Sequence, residues 1–143
     1  MSLFVLDASV AAKWFLPRTG EPLAEEALAL LRRYAAGDIE FAVPDLFWAE
    51  LGNILWKCVR AGRLPHKLAT ETLTDILHYS LPTARSLDLA DDALAIALAT
   101  GRSVYDAMYV ALAVQRDAAF VTADERLVNN LATHWPVKWL GTV

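Results

Sequence analysis

The stretch LFVLDASVAAKWF, residues 3–15, opens with a short apolar run, continues as an apolar helical pattern, and has one acid, Asp7, at the junction. Residues 3–6 are typical of a strand, and four further runs, two of them weak, lie at 41–43, 82–86, 119–122 and 137–140. Helical patterns lie between and around them, at 9–16, 21–36, 45–61, 66–79, 88–100, 104–116 and 125–132. Strands that alternate with helices predict an α/β fold, with a parallel sheet covered on both faces.

Several residues mark where these elements begin and end. Pro82 cannot donate a ladder hydrogen bond, so the third strand is predicted at a sheet edge. Pro22 is predicted in the first turn of its helix, and Asp45 and Asp88 are predicted at N-cap positions. Glycines follow the last turns of three helices, at Gly37, Gly62 and Gly101. Because no repeat, low-complexity segment or long linker interrupts the pattern, we expect one domain over residues 1–143.

Composition narrows the class of protein. The 143 residues are 56% hydrophobic, above the roughly 45–50% of an average globular protein, and part of this excess is expected to form a protein interface. No apolar run reaches the about 18 residues of a membrane span, and the start lacks a signal-peptide pattern, so we expect a cytoplasmic protein. The single cysteine, Cys58, excludes an internal disulfide and a thiol-rich zinc site and is expected to be buried.

The charge balance leaves the kind of partner open. A net charge of −4 argues against a nucleic-acid-binding protein, whose surface is usually basic, unless a divalent cation neutralises a cluster of the acids. The densest basic stretch runs from Lys57 to Lys67 and includes Arg60 and Arg63. It is consistent with contact to an RNA backbone and equally with a solvated helix end and turn.

Four acids lie where apolar segments meet polar ones. Asp7 follows the first strand and Asp124 follows the strand AFVT, so both are placed at the carboxyl edge of a parallel sheet, where ligands of α/β proteins bind. Glu50 lies within the apolar helix segment PDLFWAELGNILWKC, and Asp106 lies in the first turn of the most apolar helix. An acid buried on such a helix is costly unless a cation or metal is paired with it.

Each acid also has a purely structural interpretation. Asp7 and Asp124 could cap the helices that follow them, and Asp106 with Ser103 has the spacing of a capping-box variant. Glu50 could extend to solvent from the edge of its helix. Taken together, however, four converging acids would repel one another and raise their pKa values unless a cation lay between them.

A hard divalent cation, Mg²⁺ or Mn²⁺, suits such a cluster because it prefers carboxylate and water oxygens. No alternative metal site competes with it in the sequence, because the three histidines are scattered and no cysteine lies beside them. These histidines are His66, His78 and His134.

Four segments carry a family resemblance across nearly the whole chain. VLDASVAAKWF, DLFWAELGNIL, YDAMYVALA and FVTADERL resemble, in order and spacing, the four motifs of PIN-domain nucleases, specifically the VapC-type ribonuclease toxins of toxin–antitoxin pairs. The resemblance implies a three-layer α/β/α fold whose five-stranded, mostly parallel sheet has the order 3-2-1-4-5. Two other classes with an acid after the first strand are disfavoured. Ser9 stands where a haloacid-dehalogenase-like phosphatase has a second Asp, and the paired acids and late-strand Lys of a response-regulator receiver are missing.

The resemblance also implies the site and its chemistry. The acids Asp7, Glu50, Asp106 and Asp124 match the family's active-site set, which holds Mg²⁺ or Mn²⁺, and Asp7 and Asp106 are the expected direct ligands. Ser9 and Thr122 match hydroxyl positions that support the acids, although helix capping and strand-end hydrogen bonding would explain them equally well. The implied reaction is hydrolysis of RNA phosphodiester bonds, giving a 5′-phosphate and a 3′-hydroxyl.

The implied partners are an RNA substrate, with transfer RNA as one candidate, a VapB-type antitoxin and a second copy of the chain in a homodimer. Aromatic residues crowd the first and third helices; most are expected in the core, but some could line a groove for a partner helix. These residues, with one neighbouring leucine, are Trp14, Phe15, Trp48, Leu55 and Trp56. Two alternatives stay open, a PIN-like module that binds RNA or protein without cutting and a nuclease that works without an antitoxin.

Overall fold

The computed structural model describes residues 2–143, which form a five-stranded sheet flanked by helices. The strands are β1 (Ser2–Leu6), β2 (Ile39–Pro44), β3 (Thr83–Ala84), β4 (Ala119–Thr122) and β5 (Val137–Trp139). All neighbouring pairs are parallel, and the order is β3-β2-β1-β4-β5. The predicted α/β class, strand order and edge position of the third strand are therefore confirmed.

The helices of the described chain lie in the predicted segments, although the first ends at Lys13 and not at the predicted residue 16. They are α1 (Ala8–Lys13), α2 (Ala24–Ala35), α3 (Leu46–Arg60), α4 (His66–Leu77), α5 (Ser86–Thr100), α6 (Val104–Gln115) and α7 (Glu125–Leu131), and a short 3₁₀ turn follows at Leu140–Thr142. None of them is long and apolar enough to cross a membrane within residues 2–143.

The register of the sheet shows why helices cover both faces. Phe4 and Phe41 are opposite each other in β1 and β2, so their side chains share one face, where Tyr34 of α2 stacks on Phe41 with ring centroids 4.8 Å apart. The next residue of β1, Val5, pairs with Phe120 of β4 and points to the other face. There the ring of Tyr109, from α6, stacks on Phe120 at 4.9 Å. The two faces thus bury different helices, as the three-layer prediction requires.

Two predicted helix starts are wrong. The helix predicted from residue 21 begins at Ala24, so Pro22 lies before the helix and not in its first turn; Leu23, between them, has φ +59°. The helix predicted from residue 88 begins at Ser86. Asp88 is therefore not an N-cap, and its carboxylate instead pairs with Arg85 at 3.1 Å.

The reason for the early start of α5 lies far away in sequence. Asp45 stands at the predicted N-cap position of α3, but its side chain makes no capping bond there. Its carboxylate instead accepts the N–H of Ser86 at 2.9 Å and the Ser86 hydroxyl at 2.5 Å. Asp45 thus satisfies a free donor at the start of α5, a contact that sequence spacing cannot predict.

The remaining local predictions agree with the backbone. Gly37, Gly62 and Gly101 have φ between +72° and +80°, the left-handed conformation that glycine adopts freely after a helix. Cys58 is buried. Leu6 of β1 pairs with Val121 of β4, so the carboxyl ends of these two strands lie side by side. The residues that follow them, Asp7 and Asp124, consequently start from the same edge of the sheet.

Candidate active site

Asp7 lies at the carboxyl end of β1, where the chain turns into α1. Its N–H donates to the carbonyl of Val121 at 3.2 Å and so extends the contact with β4. Its Oδ1 accepts the N–H of Ser9 at 3.3 Å, which makes Asp7 the N-cap of α1. The capping role and the position at the sheet edge therefore occur in the same residue.

Thr122, the last residue of β4, connects Asp7 to Asp124. Its side chain is fully buried. Oγ1 donates to Asp7 Oδ2 at 2.6 Å and accepts the N–H of Asp124 at 3.1 Å. Asp124 then starts α7 by accepting the N–H of Leu127 through Oδ1 at 3.2 Å. One hydroxyl thus fixes the relative positions of two acids from adjacent strands.

Glu50 reaches from α3 to α6 across the carboxyl edge of the sheet. Its Oε1 accepts the hydroxyl of Tyr109 at 2.5 Å, and Tyr109 is itself buried against Phe120. Glu50 is half-buried. A rigid aromatic donor therefore holds this acid over the sheet, away from the extended position that the solvent-exposed alternative would require.

Asp106 and Asp124 share one cation, the guanidinium of Arg102. Its Nη2 lies 3.2 Å from Asp106 Oδ2 and 3.8 Å from Asp124 Oδ2. Ser103 does cap α6, as its Oγ accepts the N–H of Asp106 at 3.2 Å. The carboxylate of Asp106 nevertheless pairs with Arg102, so the capping interaction and the ion pair coexist.

All four acids line one open cavity of about 470 Å³, which we call the acidic pocket. Ser9, Asn53 and Lys57 also line it. Within residues 2–143, no three acidic, histidine or cysteine side chains are close enough to form a ready-made metal shell. The acids therefore surround a common space without closing on its centre.

The electrostatics of the acidic pocket oppose ionisation of Asp7 and Glu50, which we call its inner acids. Burial raises the pKa of Asp7 despite the hydrogen bonds that its carboxylate accepts, and the charge of Asp106 raises it further. Burial likewise raises the pKa of Glu50, to which the charges of Asp7 and Asp106 add. Burial and the charge of Asp7 raise the pKa of Tyr109, so its hydroxyl stays protonated and donates to Glu50.

The donor set of the acidic pocket fits a hard divalent cation. Its acids offer only carboxylate oxygens, the ligands that Mg²⁺ and Mn²⁺ prefer. In the described chain the buried Oγ of Ser9 has no hydrogen-bond partner. Neither Asp7 nor Glu50 forms a salt bridge within residues 2–143. A cation bound by the acids would neutralise this charge and bring a polar partner to the unpaired hydroxyl.

Two residues of the site were not identified from the sequence. Tyr109 lies three residues after Asp106 in the segment YDAMYVALA, on the same face of α6, and this spacing was the available signal. Arg102 lies four residues before Asp106, the ordinary spacing of a helical ion pair, although α6 begins only at Val104. The contacts that these two residues make with Glu50 and Asp124 join distant segments, so only the folded chain reveals them.

The basic stretch from Lys57 to Lys67 does not form one surface. Lys57 lines the acidic pocket. The guanidinium of Arg60 stacks on the exposed ring of Trp56, 4.9 Å from its centroid, and Arg63 pairs with the buried carboxylate of Glu21 at 2.9 Å. Only the first of these cations therefore faces the acids.

The aromatic residues of the first and third predicted helices also divide between core and surface. Trp14 is buried, and its Nε1 donates to the carbonyl of Ala27 at 2.9 Å. Trp56 is 53% exposed. With Leu73 of α4 it lines an almost wholly apolar cavity of about 200 Å³, which we call the α3–α4 groove. The described chain leaves this groove open.

A parallel sheet of order 3-2-1-4-5 with four acids at its carboxyl edge has the organisation of a PIN domain. The chain belongs to the PIN-domain family, which matches residues 4–131. This match covers all four motifs and confirms the family predicted from them.

Individual proteins of known name or structure are similar to this chain over most of its length. It is 33% identical over 125 residues to ribonuclease VapC3 of Pyrobaculum aerophilum, a match that covers 86% of this chain and 90% of the relative. Among solved structures, PAE2754 of P. aerophilum is similar with a TM-score of 0.69 and 25% identity, over 99% of this chain and 92% of the other. A toxin–antitoxin complex from Klebsiella pneumoniae contains a chain with a TM-score of 0.60 at 18% identity, over 96% of both chains.

Proposed function

We propose that the protein is a divalent-metal-dependent endoribonuclease that acts as the toxin of a VapBC-type toxin–antitoxin pair. The observation on which this proposal depends is the convergence of Asp7, Glu50, Asp106 and Asp124 on the acidic pocket. The 33% identity to a ribonuclease supports the choice of RNA as substrate. In this proposal residues 1–143 form a single nuclease domain.

The four acids would hold Mg²⁺ or Mn²⁺, with Asp7 and Asp106 as direct ligands. When bound, such an ion supplies Lewis-acid stabilisation of the charge that develops on the scissile phosphate. The acidic pocket would otherwise repel RNA. One of its carboxylates accepts a proton from the attacking water. The water oxygen bonds to phosphorus, the bond to the 3′-oxygen breaks, and the departing 3′-oxygen takes a proton from solvent, which leaves a 5′-phosphate and a 3′-hydroxyl.

The residues around the acids fix their orientation. Tyr109 donates to Glu50 Oε1, which leaves Oε2 for the ion or water. Thr122 donates to Asp7 Oδ2 and Ser9 N–H donates to Oδ1, so each oxygen of Asp7 is oriented by one donor and keeps a second lone pair. Ser9 has its free hydroxyl at the same pocket. Neutral donors suit this task because they orient a carboxylate without removing the negative charge that attracts the cation.

An antitoxin and a second copy of the chain are the proposed protein partners. The α3–α4 groove, with the exposed Trp56, suits the apolar face of an amphipathic antitoxin helix. Leu87, Leu94 and Leu98 of α5 form an exposed apolar stripe, 51–79% accessible, that suits a homodimer contact. The fold shared with a chain of a toxin–antitoxin complex supports the first of these partners.

The test is incubation of the pure protein with labelled RNA, transfer RNA included, in Mg²⁺ or Mn²⁺ with and without a chelator. We expect cleavage that stops with chelator, returns with excess ion, and falls about 100-fold or more in Asp7→Asn, because that variant loses a charged ligand. Cleavage by Asp7→Asn that is undiminished in chelator would refute the proposal. Binding of RNA without any cleavage would identify the non-cleaving module instead.

A further inference from the structure

A second polar cavity lies beside the acidic pocket. It measures about 380 Å³, and its lining residues are Arg102, Arg126, Asn129 and Asn130. We call it the arginine–asparagine pocket. In contrast to the acidic pocket, it presents two guanidinium groups and two amides, and none of its lining residues is an acid.

The helix α7 places three of these side chains on one surface. Asn129 and Asn130 follow Arg126 by three and four residues, the spacings that put helical side chains on the same face. All three are exposed. Within residues 2–143 the guanidinium of Arg126 has no salt bridge or hydrogen bond. An exposed arginine beside two exposed amides is a surface suited to a polar, negatively charged ligand.

Arg102 joins this cavity to the acids. Its Nη2 faces Asp106 and Asp124, whereas its Nε is buried and lacks a hydrogen-bond partner in the described chain. Asp124 is also the N-cap of α7, directly before the helix that supplies Arg126. The two pockets therefore adjoin where Arg102 contacts Asp106 and Asp124.

We propose that the arginine–asparagine pocket binds the nucleotide next to the scissile phosphate of a single-stranded RNA. This inference rests on the proposed function. Arginine pairs with a phosphate through two parallel hydrogen bonds, a role open to Arg126, which has no ion pair within residues 2–143. Asparagine amides pair with the exposed edges of unstacked bases, and single-stranded RNA offers both features together. The pocket thus supplies the basic contact that the stretch from Lys57 to Lys67 does not provide as one surface.

The test compares Arg126→Ala with Arg32→Ala. Arg32 is an exposed arginine in the last turn of α2, a helix that leads to the amino end of β2, so its removal changes the net charge equally at the opposite edge of the sheet. Both are made in an Asp7→Asn background for binding of a single-stranded RNA oligomer, and in the wild-type background for cleavage.

We expect Arg126→Ala to weaken RNA binding about tenfold and to reduce the slope of log K against log salt by about 0.7, the loss of one phosphate contact. In cleavage its KM should rise more than its kcat falls. Arg32→Ala should match its parent in all three measurements. Asn130→Ala should reduce discrimination among oligomers that differ only in the base next to the cut.

Equal binding, salt slope and KM in Arg126→Ala and Arg32→Ala would overturn the inference. It would also be overturned if Arg126→Ala affected only the binding of an acidic peptide, because the pocket would then serve a protein partner. These outcomes differ from failure of the proposed function, in which the wild-type protein cleaves no RNA in Mg²⁺ or Mn²⁺.

Discussion

Two buried carboxylate sites of this molecule are built in opposite ways. Glu21 accepts Lys13 Nζ at 2.7 Å and Arg63 Nη2 at 2.9 Å, and its side chain is only 8% exposed. Lys13 also donates to the carbonyl of Pro22 at 2.8 Å. Burial alone would raise the pKa of Glu21, but its two cationic partners lower it below its usual value. This acid is fully compensated by the protein.

The inner acids of the acidic pocket have no such compensation. Asp7 and Glu50 accept hydrogen bonds only from neutral donors in the described chain, and burial raises the pKa of both. A chain that pairs one buried acid with two cations at Glu21 thus gives Asp7 and Glu50 no cationic partner within residues 2–143. Because both kinds of acid are removed from solvent, burial does not distinguish them. Their partners do: Glu21, a structural carboxylate, has cations, whereas Asp7 and Glu50, the proposed functional ones, have neutral donors.

The largest effect should come from removing one of the two cationic partners of Glu21. Lys13→Met leaves Glu21 buried with Arg63 alone and removes a donor from Pro22, so we expect a loss of about 3 kcal/mol in the free energy of unfolding. Denaturant unfolding measures it. Arg18→Met, which removes the exposed partner of Glu25, is the control and should cost less than about 1 kcal/mol. Equal losses in the two variants would show that Glu21 does not depend on its buried partner.

The next effect concerns the neutral donors to the acids that are proposed as catalytic. Thr122→Val keeps the shape of the buried side chain but removes the hydrogen bonds to Asp7 and Asp124, so kcat/KM for RNA cleavage should fall about 10- to 100-fold. Thr122→Ser retains the hydroxyl and should recover most of the rate. If valine and serine reduced kcat/KM alike, the methyl packing of Thr122 and not its hydroxyl would be what matters.

The sequence predicted the features of the fold and of the acidic pocket that depend on local pattern. Alternating strands and helices gave the element order, and the position of Asp7 and Asp124 after strands placed them at one edge. It could not predict that Tyr109 bonds Glu50, because that contact spans 59 residues and depends on how α3 and α6 cross the sheet. The contacts of Asp45 with Ser86 and of Arg63 with Glu21 were missed for the same reason: side chains from distant segments meet only in the folded chain.

The smallest effect is a change in the stability of the metal-free protein when Asp7 loses its charge, and measuring it needs no RNA. Asp7→Asn removes a buried charge, while its amide can still accept from Ser9 and donate to the oxygen of Thr122. We therefore expect the metal-free variant to be more stable than the metal-free wild type at neutral pH by about 1 kcal/mol, or roughly 3 °C in Tm. A millimolar divalent ion should raise the Tm of the wild type but not of the variant, because only the wild type keeps the ligand.

The pH dependence of this difference has a definite sign. The pKa of Asp7 is raised on folding, so the folded wild type binds the proton more tightly than the unfolded chain, and its stability falls as the pH rises above about 3.8, the usual value. The stability advantage of Asp7→Asn should therefore be small in acid, grow as the pH rises, and level off once Asp7 is ionised in the folded protein. Glu21, whose pKa is lowered, contributes in the opposite sense, and its stabilisation is lost as the pH falls. Thermal unfolding of both proteins from pH 4 to pH 8 in chelator measures the difference, since Glu21 is common to the two. An advantage that shrank with rising pH would mean that Asp7 is compensated in the folded chain after all.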